Sequence, residues 1–354
     1  MKLYRLNGFR NLMLACLGVA LLGLFGCATE KPIEKKEYGD IVWPSPPDTP
    51  RIRFLAEYSG QSDFGSKSSF KASLLGEESG GLQLDKPYAA TASADGNLIY
   101  VTDTKLHAVV VFDFKEKEVR ALQTDASGGL VTPMDVKLDK RGRIFVADAT
   151  RQEVLVYSPE GKTLLTLGKK EELGRPTGLA IDDGRNRLYV ADTIKHRIVV
   201  YNLEGKYLFS IGERGDDPSQ LNYPTSLAVD TKGNLLVSDS GNFRAQVFNA
   251  DGKPVRTIGQ LGDSYGSFSR PKGIASDSDN NIYVVDGAFS NFQIFDSEGK
   301  LFLFVGTMGK EPGMFWLPTG IYINRGDRIY VVDSLNARIQ IFQYLKEGRT
   351  PIEK

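Results

Sequence analysis

A column of six prolines constrains this chain more than any other feature. Pro87, Pro133, Pro176, Pro224, Pro271 and Pro318 recur at intervals of 46, 43, 48, 47 and 47 residues. Three residues before each stands a large apolar side chain: Leu84, Leu130, Leu173, Leu221, Phe268 and Phe315. An aspartate closes an apolar run 15 or 16 residues after each proline: Asp103, Asp148, Asp192, Asp239, Asp286 and Asp333. Nine residues further on comes an aromatic: Phe112, Tyr157, Tyr201, Phe248, Phe295 and Phe342. Four columns in register over six copies mark a true internal repeat. Within each copy, short β runs are separated by turn signals such as Asp251-Gly252, Glu160-Gly161, Glu204-Gly205 and Glu298-Gly299. Glycine there supplies the positive φ that tight hairpins need. Four strands in about 45 residues make a propeller blade, so the columns predict an all-β, six-bladed β-propeller.

The sixth copy lacks a fourth strand, because little chain follows Phe342. Residues 51–60, RIRFLAEYSG, resemble the outer strand KYLFSIGERG of the third copy. Residues 51–58 are therefore expected to supply the outer strand of the last blade, hiding an edge and joining the two ends of the domain. Between that strand and the first blade, Phe70, Leu74 and Leu75 suggest a turn or two of amphipathic helix within residues 61–80.

A length of 354 residues would by itself suggest two or three domains of ~150 residues each. The repeat replaces that with one propeller over residues 51–345, a tail at 346–354 and two short segments in front. The first segment starts with Lys2, Arg5 and Arg10 and runs into the apolar stretch NLMLACLGVALLGLFG at 11–26. That is a secretory signal pattern, too short for an ordinary membrane span, although an uncleaved anchor is the other way to read it. Leu24-Phe25-Gly26-Cys27 resembles the lipobox of bacterial lipoproteins, with Phe25 in place of the commoner small or β-branched residue. The resemblance implies cleavage after residue 26 and lipid on Cys27. Ala28, where an aspartate would signal retention, implies an outer-membrane address facing the periplasm, with the cell surface as a further possibility. Residues 27–50 then read as a lipidated tether, stiffened by Pro44, Pro46, Pro47 and Pro50. The whole chain has 44 basic and 44 acidic residues; without the three basic residues of the leader its charge falls to −3. That balance, in an exported protein, argues against a nucleic-acid partner.

Two copies in particular, PTSLAVDTKGNLLVSDSGNFRAQVF (224–248) and PTGLAIDDGRNRLYVADTIKHRIVVY (176–201), resemble the NHL repeat. The chain as a whole is similar to bacterial NHL-propeller lipoproteins. The resemblance implies the fold; NHL propellers bind proteins or RNA, sense ligands or, in the peptidyl-hydroxyglycine amidating lyases, catalyse with zinc. In those lyases zinc is held by histidines just after the blade proline. The equivalent residues here are Tyr88, Met134, Thr177, Thr225, Lys272 and Thr319, none of them histidine.

The chain has two histidines, His107 and His196. They share one column with Gln152, Phe243, Ser290 and Ala337, which favours loop packing over metal ligation; as ligands they make a weak set. The six aspartates suit turns in which a carboxylate holds loop amides better than a ring around a cation. Asp277-Ser278-Asp279-Asn280-Asn281 lacks the glycine and distal glutamate of a calcium loop and falls where a turn is required. No catalytic residue and no cofactor emerges. The reading is a non-catalytic scaffold, a monomeric propeller attached to the membrane by its lipid, that binds an envelope protein or small ligand. A metal-dependent lyase or hydrolase is the alternative. Tyr88, Arg175, Tyr223, Arg270, Lys272 and Trp316 lie at or beside the proline column and are of types enriched at binding hot spots, Lys272 apart, so they are the candidate binding residues. Lys86 joins Arg175, Arg270 and Lys272 as a basic group that a small anion would use.

Overall fold

In each copy, the proline opens an inner strand because it needs no partner for its missing N–H, and the run ending in aspartate forms the second. In a computed structural model, residues 38–65, 81–125, 128–168 and 172–346 are described. The leader, Cys27, most of the tether, the Phe70–Leu75 stretch and residues 347–354 lie outside them. Two strands precede the first blade, β1 (Val42–Trp43) and β2 (Ile52–Tyr58). Blade one follows as β3 (Pro87–Ala92), β4 (Leu98–Asp103), β5 (Ala108–Asp113) and β6 (Glu118–Ala121). Blade two is β7 (Pro133–Leu138), β8 (Ile144–Asp148), β9 (Glu153–Tyr157) and β10 (Thr163–Leu167). Blade three is β11 (Pro176–Asp182), β12 (Arg187–Asp192), β13 (Arg197–Asn202) and β14 (Tyr207–Ile211). Blade four is β15 (Pro224–Val229), β16 (Leu235–Asp239), β17 (Arg244–Phe248) and β18 (Pro254–Ile258). Blade five is β19 (Pro271–Ser276), β20 (Ile282–Asp286), β21 (Asn291–Phe295) and β22 (Leu301–Val305). The last copy gives β23 (Pro318–Ile323), β24 (Arg328–Asp333) and β25 (Arg338–Tyr344).

Every blade is an antiparallel meander, and neighbouring inner strands pack side by side around a channel. The hairpin glycines Gly161, Gly205, Gly252 and Gly299 have φ between +78° and +91°, as the turns demand. The aromatic column fills the space between blades. Phe112, Tyr157, Tyr201, Phe248, Phe295 and Phe342 are all buried, as are five of the six apolar residues ahead of the prolines; Leu130 is partly buried. Burying such side chains contributes roughly 1.5–3 kcal/mol each, so the two columns carry much of the core energy.

Ring closure follows the expected strand. β2 pairs antiparallel with β25, with Ile52 opposite Tyr344, Phe54 opposite Phe342 and Tyr58 opposite Ile339. Phe54 meets Phe342 edge-on at 5.5 Å. The structure differs from the tether reading in one respect. Val42 and Trp43 form a fifth strand on this blade, opposite Arg53 and Ile52, and Trp43 packs against Phe342 at 5.8 Å. The prolines suggest a free spacer up to residue 50, yet Tyr38 already packs on Phe54. Proline is tolerated on an edge strand, where one side needs no donor, so the proline-rich loop turns the chain back instead of extending it.

Arg338 fastens the closure. Its guanidinium pairs with Asp333 within the blade (2.8 Å) and with Glu57 on β2, and donates to the carbonyls of Lys310, Glu311 and Met314. Arg338→Ala leaves two carboxylates without their buried cation. It should cost about 3–5 kcal/mol, the usual loss when one partner of a buried pair is removed, read as a lower denaturant midpoint. Deleting residues 51–58 should lower the melting temperature of the whole domain, since it exposes β25 and opens the ring; a melt unchanged from the full chain would contradict closure by β2.

Candidate binding site at the channel mouth

The residue after each blade proline projects toward the channel at the end where the inner strands begin. Tyr88, Met134, Thr177, Thr225, Lys272 and Thr319 all line one cavity there, with Asp135 and Lys137 behind them. The cavity measures about 340 Å³ including its open mouth. Its enclosed part admits little more than one or two water-sized groups.

The ring divides into two kinds of residue. Three members hold the blades together. Thr177 Oγ1 donates to the carbonyl of Thr225 (3.0 Å), Thr319 Oγ1 donates to that of Tyr88 (2.7 Å), and Thr225 shares a hydrogen bond with Ser240 (2.6 Å), whose hydroxyl bonds the Pro271 carbonyl. The next position along each strand is packed just as tightly. A Cβ on Gly178, Gly273 or Gly320 would come within 2.5–2.7 Å of the neighbouring inner strand's backbone. Where that position bears a polar side chain, it also crosses to the next blade: Ser226 Oγ accepts the N–H of Ile274 (3.3 Å), and Asp135 Oδ2 accepts that of Leu179 (2.8 Å). Asp135 Oδ1 takes the Val136 N–H and the Lys137 ammonium (2.6 Å). Burial raises the Asp135 carboxyl above its ordinary pKa, and Lys137 works against that rise.

Met134 is apolar, so Tyr88 and Lys272 give the mouth its chemical character. Burial pushes the Tyr88 phenol up to about 12, with Asp135 adding to the rise and Arg175 opposing it. It therefore stays a hydrogen-bond donor at any ordinary pH. Lys272 makes no hydrogen bond or ion pair among the described residues. Burial lowers its ammonium pKa, and the nearby charges of Arg270 and Arg175 lower it further. Both arginines are exposed, each one position ahead of a blade proline.

The six sequence-derived binding residues thus separate. Tyr88 and Lys272 line the cavity, and Arg175 and Arg270 stand close enough for Lys272 to feel their charge. Tyr223 and Trp316 do not line it. They lie on the loops leading into β15 and β23, 46% and 44% exposed, Tyr223 against the His196 ring (4.4 Å) and Trp316 beneath the Lys310 ammonium (5.8 Å). Lys86 is exposed on the corresponding loop of blade one. Asp135 and Lys137 were not singled out from the sequence, though a carboxylate in a column otherwise filled by alanine, glycine and serine was the available signal.

The two histidines are not brought together. His107 Nδ1 bonds the Val131 carbonyl, and His196 Nδ1 accepts the N–H of Tyr223 (3.2 Å). No group of three or more His, Cys, Asp or Glu side chains suited to a metal occurs among the described residues. The column aspartates, all 0% exposed, hold their own loops. Asp103, for example, accepts the N–H groups of Asp85, Lys86, Lys105 and Leu106 at 2.8–3.1 Å. Asp277 likewise accepts from Asp279 and Asn281 in its turn (2.9 Å each).

The profile of a family described as 6-bladed beta-propeller matches residues 101–213 and 276–353, and an NHL repeat profile matches 221–248. Many solved structures share the fold. A streptogramin B lyase aligns with a TM-score of 0.56 at 14% identity, over 75% of this chain and 95% of that one. A Bacteroides thetaiotaomicron protein of unknown function aligns at 0.58 and 16%, over 83% and 75%. Virginiamycin B lyase from Staphylococcus aureus aligns at 0.55 and 11%, over 83% and 100%. No protein of curated function matches at the sequence level.

Lys272 supplies a test of this geometry. A lysine whose folded-state pKa is lowered is penalised while it is charged. The penalty is full below the folded-state pKa and fades as pH rises toward that of a free lysine. Lys272→Met, which keeps the stem, should therefore raise the melting temperature near pH 7 by about 2 °C for each kcal/mol relieved. The gain should shrink in melts taken at increasingly alkaline pH.

Proposed function

The chain belongs to the six-bladed β-propeller family, and from that premise we propose that it is a non-catalytic binding scaffold. In this reading it is held by lipid on Cys27 at the periplasmic side of the outer membrane and receives its ligand or protein partner at the channel mouth. The observation that carries the reading is the division of the ring. Three threonines lock neighbouring blades, while a lysine without a partner among the described residues and a half-buried phenol face the opening. Those are groups for holding a ligand, set on strands too tightly packed to shift. The exposed aromatics Tyr223 and Trp316 flank the mouth and supply area for a larger partner. Tyr223 has φ +49° immediately before a proline, a costly conformation for a bulky residue and one of the kinds of strain found at functional surfaces. Against a metal-dependent lyase or hydrolase stands the separation of His107 and His196, which lie in blades one and three with blade two between them and are each bonded within their own surroundings.

Two experiments in cells test the parts of this reading separately. Cys27→Ala should abolish labelling by a radioactive fatty acid and leave the chain at its uncleaved size; a native chain that is unlabelled and already of uncleaved size would favour an uncleaved anchor. A photo-cross-linking residue at position 316 should yield a discrete adduct. Replacing Arg270 and Lys272 with alanine should reduce that adduct roughly fivefold, the scale expected when charges that steer association are lost. An undiminished adduct would move the binding face elsewhere.

A further inference from the structure

We infer that the channel mouth is a site for one oxyanion group, a carboxylate or a phosphate, whose counter-charge is Lys272. This rests on the reading of the mouth as a binding face and names what that face takes.

Charge at the mouth is uncompensated. Across the channel Lys137 is neutralised by Asp135, whose two oxygens are already engaged by Lys137 and by the N–H groups of Val136 and Leu179. The six column aspartates are sealed in their own loops and turned to backbone amides and to Arg or Asn side chains. Arg175 and Arg270 form no ion pair among the described residues, though their backbone N–H groups help seal Asp192 and Asp286. Three cations, Lys272 in the cavity and Arg175 and Arg270 near it, therefore share an opening whose lining carboxylate, Asp135, is already paired with Lys137. Like charges that close repel, and an anion seated between them turns the repulsion into attraction.

The donors agree with this. The threonine hydroxyls of the ring are occupied by Thr225 O, Tyr88 O and Ser240, which leaves the Lys272 ammonium and the Tyr88 hydroxyl to serve a ligand. Tyr88 cannot ionise and become a repelling charge at ordinary pH. Size narrows the ligand. The enclosed space takes only one or two water-sized groups, so the leading oxygens of an oxyanion head enter and the rest of the molecule stays in the open mouth, near Arg175 and Arg270.

The test is calorimetric titration of the full chain in detergent with inorganic phosphate and, separately, with succinate, at constant ionic strength held by chloride. One saturable site per chain is expected for at least one of them. Saturation by phosphate alone identifies a phosphoester ligand, and by succinate alone a carboxylate such as a peptide C-terminus. Lys272→Met should weaken binding about tenfold or more, the scale of a lost charge-assisted hydrogen bond. Lys140→Met, an exposed lysine in a blade-two turn, should leave it unchanged. If Lys272→Met does not fold, Arg270→Ala serves, with a weakening of about three- to tenfold expected from loss of a rim charge. Absence of a saturable site for both probes, or equal affinity in the Lys272 variant, overturns the inference. A persistent adduct at position 316 in that case would show that the scaffold reading survives without an anion site.

Discussion

The carboxylate at the end of each second strand is the interaction on which the rest of this structure depends. An aspartate at 0% exposure would be prohibitive without donors. Each blade supplies them from the loop ahead of its own proline and from the turn or third strand that follows the aspartate. In blades one, two and five the donors are almost entirely backbone amides: Asp148 takes Val131, Thr132, Thr150 and Arg151, and Asp286 takes Ser269, Arg270, Ala288 and Phe289. In blades four and six side chains replace some of them. Asp239 is met by Asn242, Arg244 and Gln246, and Asp333 by Asn336, Arg338 and Gln340, the same three residue types at the same spacing. In both solutions the loop before the proline is pinned to the loop after the aspartate. The residue that follows the proline is thereby aimed into the channel.

The arginine version does more. Arg244 reaches on to the carbonyls of Asp216, Asp217 and Gln220, and Arg338 to Lys310, Glu311 and Met314. These carbonyls belong to the longer connections into blades four and six, which carry Tyr223 and Trp316. A fully hydrogen-bonded guanidinium makes such a loop rigid without burying it. The most exposed part of the proposed binding face is thus tied to its most buried charges. Arg338 extends the same network to Glu57, so ring closure and loop order are linked through one side chain.

What could be read from the sequence was whatever repeats by residue type. Blade number, strand order and the closing strand follow from columns of proline, leucine or phenylalanine, aspartate and aromatic residues, each imposed by one physical demand common to all blades. What repeats only in conformation was not legible. His107, Gln152, His196, Phe243, Ser290 and Ala337 share a left-handed backbone with φ from +50° to +57°. No common side-chain chemistry marks them, because the backbone between strands, not the side chain, requires that geometry. The histidines gain their place in that column from its tolerance. Features occurring once were missed for the opposite reason. Val42–Trp43 pairs in one blade only, beneath a run of prolines that argues against a strand. Asp135 departs from its column, and departures are hidden when only agreement is sought.

The departures are nevertheless where a symmetric ring acquires a function. Six identical blades would place six equivalent residues around the channel and recognise nothing in particular. Here the threonines of blades three, four and six are consumed in holding their neighbours, and the residues behind them, Gly178, Ser226 and Gly320, are packed against or bonded to the next blade. The remaining freedom falls to blades one, two and five, and there the residues differ: a phenol, a methionine backed by an internal ion pair, and a lysine. Blades two and five face each other in a ring of six, so the neutralised charge of Lys137 stands opposite the open charge of Lys272. The channel is therefore electrically lopsided. That asymmetry, set on a frame of cross-blade hydrogen bonds, would give a molecule bound at the proposed site a single orientation.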